Sequence, residues 1–340
     1  MKLVTIFGGT GFVGRYVARR MAKEGWRVRC ACRRPNDSPF VRTYGVVGQV
    51  EPVFCNIRDD ESVRATVRGS DAVVNCVGIL AEGGKQTFEA LQQQGAARIA
   101  RLAAEAGVEH FVQVSAIGAD ENAPSEYART KALGEKAVLD AFPTAMIVRP
   151  SIIFGHEDEF FNRFAGMARM APLLPMVGGG TKFQPVYVDD VAAAIQMGVM
   201  GKAEPGIYEL GGPDVSTFRE WMQEMLAIIK RRALVMNTPM PIAKAMGYGF
   251  DTLKSLSFGL ISPPLTLDQV RNLGQDNVVG EGVKTFEDLG IQPTSTEAIL
   301  PDYLWRFRPS GQYADANESA ENLRSGPGGV KGGENRAGFS

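Results

Sequence analysis

LVTIFGGTGFVGR, residues 3–15, joins a β-rich apolar run to an amphipathic segment through glycines at G-x-x-G-x-x-G spacing, Gly8, Gly11 and Gly14. Glycine lets the first turn bend sharply and lets backbone N–H groups approach a pyrophosphate. The third glycine permits close packing of helix on strand, and the helix N-terminus adds partial positive charge. Placed after a first strand and opening a first helix, this is the signature of a dinucleotide cradle. The expected contacts are Gly8, Thr10, Gly11, Phe12, Val13, Gly14 and Arg15.

Outward from the cradle, two periodicities alternate. Short β-rich runs recur at 26–31, 50–55, 71–77, 109–115 and 144–149. Between them lie segments with helical spacing, such as 11–24, where Phe12, Val13, Val17, Met21 and Ala22 share one side, and 86–105. Strands alternating with helices predict an α/β fold, a Rossmann-type doubly wound parallel sheet. Continuous apolar strands suit a sheet covered on both faces.

The 340 residues predict about two domains. The expected division is a dinucleotide-binding domain over 1–150, with elements returning from about 183–210. A smaller mixed α/β unit over 151–309 is interleaved with it, and 310–340 form a tail. In the second unit 158–170 reads as a helix, PLLP and Gly178–Gly180 as a break, 181–188 as a strand, and 189–200 as a helix. GIYEL at 206–210 reads as a further strand. Residues 311–340 hold seven glycines and few large apolar side chains, too little to offset their ordering entropy without a partner.

Lysine plus arginine total 37 and acids 38, for a net charge of -1, so a whole-molecule case for nucleic-acid binding is absent. No apolar run approaches about 18 residues, and the first residues carry no leader pattern. Cys30, Cys32, Cys55 and Cys76 lie in strand-like runs without metal-ligand spacing. They read as buried reduced thiols, with no metal site. The average hides a local +4 over 230–254, from Lys230, Arg231, Arg232, Lys244 and Lys254 against Asp251. Ile242, Met246, Phe250, Leu253, Leu256 and Leu260 recur there at three- and four-residue spacing. Such a stripe packs on the protein's own core or lies on an anionic membrane or membrane-embedded partner.

An NAD-preferring cradle usually ends its second strand in an acid. Here Cys32-Arg33-Arg34-Pro35 stands there, and two guanidiniums suit the 2′-phosphate of NADPH. Asp189 and Asp190 read as a helix N-cap, and His156 as a loop histidine.

These motifs, with VNCVG (74–78), VQVSAIGA (112–119), Tyr127-x-x-x-Lys131, RPSIIFG (149–155), QPVYVDDVA (184–192) and YELGGP (208–213), resemble the extended or atypical short-chain dehydrogenase/reductase superfamily over roughly residues 1–305. More narrowly, SEYARTKALGEKAV, RPSIIFGHEDEFFNRFA and QPVYVDDVA look like the nucleotide-binding accessory subunits of respiratory complex I. That resemblance implies NADPH held as a structural cofactor and complex I partners at the junction of the hydrophilic and membrane arms. It places the chain peripherally on the cytoplasmic face of a bacterial inner membrane, or on the matrix side if mitochondrial. It also implies further contacts from Asn56 and Ile57 near the adenine, and from Val77, Gly78, Ser115, Tyr127, Lys131, Pro150 and Ile152 toward the nicotinamide half.

A Tyr-x-x-x-Lys string is cheap, since 8 tyrosines in 340 residues leave about 0.3 such pairs to chance. Its position after the fifth strand is informative. In active members of the superfamily the tyrosine is the general acid or base, and the lysine lowers its pKa and binds ribose. A substrate-polarising hydroxyl normally lies two residues beyond the strand-five serine. With Ser115 at that strand end the position falls on Ile117, and only a shifted register would let Ser115 substitute. Two readings stay open: a non-catalytic accessory subunit, or a free NADPH-dependent reductase, epimerase or dehydratase using Tyr127 and Lys131.

Overall fold

A computed structural model describes residues 1–238, 268, 273–309 and 311. The apolar run before the glycines is strand β1, Leu3–Phe7, and the amphipathic segment is helix α1, Phe12–Lys23. The chain continues through β2 (Arg27–Cys32), β3 (Val50–Phe54), α2 (Asp60–Val67), β4 (Ala72–Asn75) and α3 (Gln94–Glu105). Then follow β5 (His110–Val114), α4 (Glu126–Ala141), β6 (Met146–Pro150), β7 (Ile153–Phe154), α5 (Phe161–Met170) and β8 (Leu173–Val177). After β9 (Lys182–Phe183), β10 (Val186–Tyr187) and α6 (Val188–Val199) come β11 (Gly206–Leu210), β12 (Ser216–Thr217), α7 (Phe218–Ile228) and β13 (Leu234–Thr238). Helix α8 spans Thr296–Leu304.

Seven strands form one parallel sheet in the order β11-β6-β5-β4-β1-β2-β3. Val4 pairs with Val28 on one side and Ala72 on the other, so β1 and its cradle sit inside the sheet. Alternate residues of each strand enter two different cores. Val4, Ile6, Val74 and Val112 pack with Val17, Met21, Val191 and Ile195 of α1 and α6. Phe7, Val73, Phe111 and Ile147 pack with Val63, Ile99, Leu102 and Val138 of α2, α3 and α4. Each such side chain contributes roughly 1.5–3 kcal/mol by leaving water. The free edge is β3, with Pro52 at its middle.

A third apolar core lies outside the sheet. It gathers Phe154, Phe161, Phe218, Trp221, Met225, Leu300 and Tyr303 from β7 and from α5, α7 and α8. One strand-like run of the second unit returns to the main sheet, as β11 beside β6.

The structure corrects several local expectations. PLLP is not a break. It lies within β8, whose parallel partner is β13. The helical run from 86 becomes regular only at Gln94, after a π-helical turn at Glu89–Gln93. The strand expected over 181–188 divides into β9 and β10, which join different partners, β12 and β7. Asp189 and Asp190 are not the cap of α6, because the helix begins one residue earlier and Tyr187 holds the cap position. Both acids lie in the first turn and reach outward. Asp189 takes two hydrogen bonds from the Arg20 guanidinium, at 2.9 and 2.7 Å, tying α6 to α1. Asp190 accepts from the Thr294 N–H and hydroxyl. The amphipathic run at 242–260 and the glycine-rich tail, apart from Gly311, lie outside the described residues.

Candidate nucleotide site

The loop from β1 to α1 closes on itself through Gly9 N–H to Ile6 O and Gly11 N–H to Gly8 O, while Gly8 N–H donates to Ala31 O of β2. Gly8 has φ +75°, in the left-handed region where a side chain is strained. At Gly14 a methyl group would stand 2.3 Å from Gly8 O and 2.7 Å from Gly9 Cα, so only glycine lets α1 approach the loop this closely. The cap residue of α1 is Gly11. It offers no side-chain acceptor, and the first turn holds no acid. The leading amides of this helix therefore carry partial positive charge that no side-chain cap or first-turn acid meets.

Arg15 is already engaged within the protein. Its guanidinium meets Glu157 at 3.1 Å and the carbonyls of Thr10 and Gly11. Phe12 and Val13 are half-buried against the first core. Arg33 and Arg34 are exposed where β2 ends, one bonded to the Gln86 side-chain oxygen and the other 3.9 Å from Asp37. Such surface pairs are weak. At the end of β3, Asn56 Oδ1 accepts from Arg58 N–H. Ile57 packs over Gly95, where a Cβ would meet its Cδ1 at 2.8 Å.

The other half of the carboxyl edge is drier. Val77 N–H donates to Asn75 Oδ1 beyond β4, and Gly78 leaves room beside the Lys131 ammonium, 3.4 Å from where a Cβ would stand. Ser115 N–H donates to Val148 O and Ile117 N–H to Pro150 O. That ladder places Ser115 just past the end of β5, with the aliphatic Ile117 two residues on. Pro150 ends β6, and Ile152 joins the third core. Helix α4 carries Tyr127 and Lys131 one turn apart. Lys131 Nζ donates to Val114 O at 3.2 Å and lies 5.9 Å from the Tyr127 ring centroid.

Burial sets the electrostatics here. It pushes Lys131 down to about 8 and Tyr127 up to about 12. It also lifts the Cys76 thiol to about 12 and the Cys30 thiol to about 12, so both remain protonated thiols. A tyrosine serving as a proton donor or acceptor near neutral pH needs the opposite shift.

Ser115 tests whether a ligand fits. Its hydroxyl is buried, and among the described residues it is the buried side-chain polar atom with no hydrogen-bond partner. Burying such a group unpaired costs about 1–3 kcal/mol. A ribose hydroxyl or carboxamide would satisfy it, beside a lysine ammonium with donors to spare. Bare amides at one end and an orphaned hydroxyl at the other fit a dinucleotide laid along this edge.

Three contributors escape sequence reading. Phe88 meets Tyr127 edge-on at 5.8 Å. Gln92, inside the π-helical turn, bonds Ile79 O and the Thr130 hydroxyl. Asp268, distant in sequence, accepts from the Ser125 hydroxyl and from Glu126 and Tyr127 N–H. Only the π-turn leaves a local trace, in the polar run Gln92-Gln93-Gln94.

Residues 4–211 match the NAD dependent epimerase/dehydratase family. An Arabidopsis thaliana protein, NADH dehydrogenase (ubiquinone) 1 alpha subcomplex subunit 9, mitochondrial, is 37% identical over 316 residues, covering 91% of this chain and 79% of that one. The NADH-ubiquinone oxidoreductase 40 kDa subunit, mitochondrial, of Neurospora crassa is 33% identical, covering 94% and 83%. Among solved structures, an NADPH-dependent quinone oxidoreductase complexed with NADPH from Escherichia coli is 16% identical, with coverage of 88% and 98% and a TM-score of 0.67. That last likeness concerns the fold.

Proposed function

The chain belongs to the NAD dependent epimerase/dehydratase family and, within it, to the complex I subunits named above, and from that membership we propose an accessory subunit of respiratory complex I that holds NADPH as a structural ligand. The observation that carries the reading is an intact nucleotide cradle joined to a reaction end without its hydroxyl. The sequence register puts Ile117 at the substrate-polarising position, and burial pushes Tyr127 up to about 12. Bound NADPH would supply a hydride-bearing nicotinamide. In this chain its use is linkage, since a ligand present at a hundred times its dissociation constant adds about 2.7 kcal/mol to the folded state. The Arg33–Arg34 pair favours the 2′-phosphorylated form.

The partners in this reading are complex I subunits at the junction of the hydrophilic and membrane arms. The location is peripheral, on the cytoplasmic face of a bacterial inner membrane or the matrix face in a mitochondrion. No helix of the described residues is long and apolar enough to cross a membrane. A surface suited to contact exists at the start of the 230–260 stretch. Lys230, Arg231 and Arg232 line a groove with Arg169, and Met170, Leu173, Leu234 and Met236 are exposed around it. Basic and apolar groups together suit an anionic bilayer surface. The purified chain is expected to float with anionic vesicles in a salt-sensitive manner. Indifference to vesicle charge would remove direct lipid contact.

The deciding experiment is native extraction from cells that express the chain. Co-migration with a large NADH-oxidising assembly, with NADPH retained and not turned over, is the expected result. A chain that runs alone and reduces carbonyl compounds with NADPH, losing that activity as Tyr127→Phe, would establish the free reductase instead.

A further inference from the structure

A strap from the C-terminal unit, residues 273–285, reaches the chain just beyond β5 and β6, beside the nicotinamide half of the site. Leu273 O accepts from the Thr181 hydroxyl at 2.7 Å, and Asp276 Oδ1 from Lys182 N–H at 2.8 Å. Val279 N–H donates to Gln184 Oε1, and Gly280 N–H to Glu209 Oε2. Lys284 O accepts from Glu209 N–H, which seals the strap along β11.

Asn277 is its fixed point, because every polar group of the residue is engaged. Its N–H donates to Lys182 O and its carbonyl accepts from Gln184 N–H and the Ser151 hydroxyl. Its side-chain oxygen accepts from the same hydroxyl at 2.7 Å, and its Nδ2 donates to Ile117 O at 3.4 Å. One carboxamide thus bridges the chain just beyond β5, at the Ile117 carbonyl, and just beyond β6, at the Ser151 hydroxyl. Asp268 supplies a second pin. Its carboxylate holds the first-turn amides of α4 at 2.8 and 3.3 Å and the Ser125 hydroxyl at 2.7 Å, beside Tyr127. A carboxylate is favoured there by charge-assisted hydrogen bonds and the helix dipole.

We propose that this strap, pinned by Asn277, and the separate contact of Asp268 on α4 together form a latch that retains the nucleotide. Nucleotide enters and leaves only while the pins are released, so whatever grips the C-terminal unit sets how long it stays. The proposal rests on the nucleotide-binding reading above. It explains why the pins engage the backbone flanking Ile117 and Tyr127 and not only neighbours in their own unit. It also assigns those contacts a kinetic task, distinct from direct contact with the ligand.

The test is stopped-flow NADPH fluorescence on the full chain, comparing wild type with Asn277→Ala, Asp268→Asn and the double variant. A latch obstructs both directions, so association and dissociation are expected to quicken together. The rise should be about tenfold per pin, with the equilibrium constant nearly unchanged. Dissociation alone quickening would mark a direct ligand contact and overturn the latch, and unchanged rates would overturn it too. Asp268→Asn keeps the shape of the side chain and guards against misfolding in the Asn277 variant. A melting curve that drops without a rate change identifies a merely structural role, which also overturns the proposal. Wild-type chain that binds no NADPH would instead remove the nucleotide reading, and the latch with it.

Discussion

Two helices open onto the carboxyl edge of the same sheet, and their first turns are built in opposite ways. Helix α1 begins at Gly11 with no side-chain cap and no acid in its first turn. Helix α4 begins at Ser125, whose hydroxyl accepts from Ala128 N–H, and Asp268 covers the amides that remain. Both termini carry the same backbone charge. One is left for an anion from outside, and the other is satisfied from within. The edge is therefore specialised: the α1 terminus is left open, and the α4 terminus is shut by the chain's own side chains.

The largest expected effect breaks the receiving half. Gly14→Ala places a methyl 2.3 Å from Gly8 O, a clash with backbone that cannot rotate away. We expect about 3 kcal/mol of lost stability and no measurable NADPH binding, read by thermal melts and fluorescence titration. A stable Gly14→Ala chain that still bound nucleotide would show that α1 need not approach the loop.

Charge reversal of Arg33 and Arg34 to glutamate leaves the cradle intact and addresses only the 2′-phosphate. Affinity for NADPH should fall about 100-fold while NADH is little affected, measured by competition. Equal losses for both nucleotides would place the arginines elsewhere in the binding event.

Protonation probes the shut half. Buried Lys131 sheds its proton near pH 8 in the free protein, whereas a lysine holding ribose oxygens keeps it. Nucleotide binding then takes up a proton above about pH 8. Affinity should be full below that value and fall as pH rises through it, by at most about tenfold per unit, with Lys131→Met flattening the profile. The free chain behaves in the opposite sense. Because its folded lysine value is depressed, the unfolded chain binds more protons between about 8 and 10.5, and stability should rise across that window.

The smallest expected effect is the sharpest test of shutness. Ile117→Ser restores a hydroxyl, yet it leaves the burial that raises Tyr127 above its ordinary value in place. Carbonyl reduction with NADPH should stay at background. Turnover would show that one hydroxyl separates this chain from an active reductase.

What the sequence made legible follows the same division. The strands, the parallel sheet and the cradle were readable because β1, the glycines and α1 are contiguous, and local periodicity governs them. The pins were not, because Asp268 and Asn277 reach the site from more than a hundred residues away, and neither carries a motif. The acids at 189 and 190 read as a cap because residue type alone favours it. Their actual partners, Arg20 and Thr294, depend on tertiary packing. PLLP was misread because proline suggests a break, whereas in β8 Pro175 lies in a strand with a single partner.

One feature of the opposite margin bears on strand pairing at the edge. An outermost strand normally offers a row of donors and acceptors to any extended chain that drifts past. Pro52 removes a donor from the middle of β3. A foreign strand, or a second copy during synthesis, would find an interrupted template there. The β3 edge is thus a poor template for the growth of fibrous aggregates.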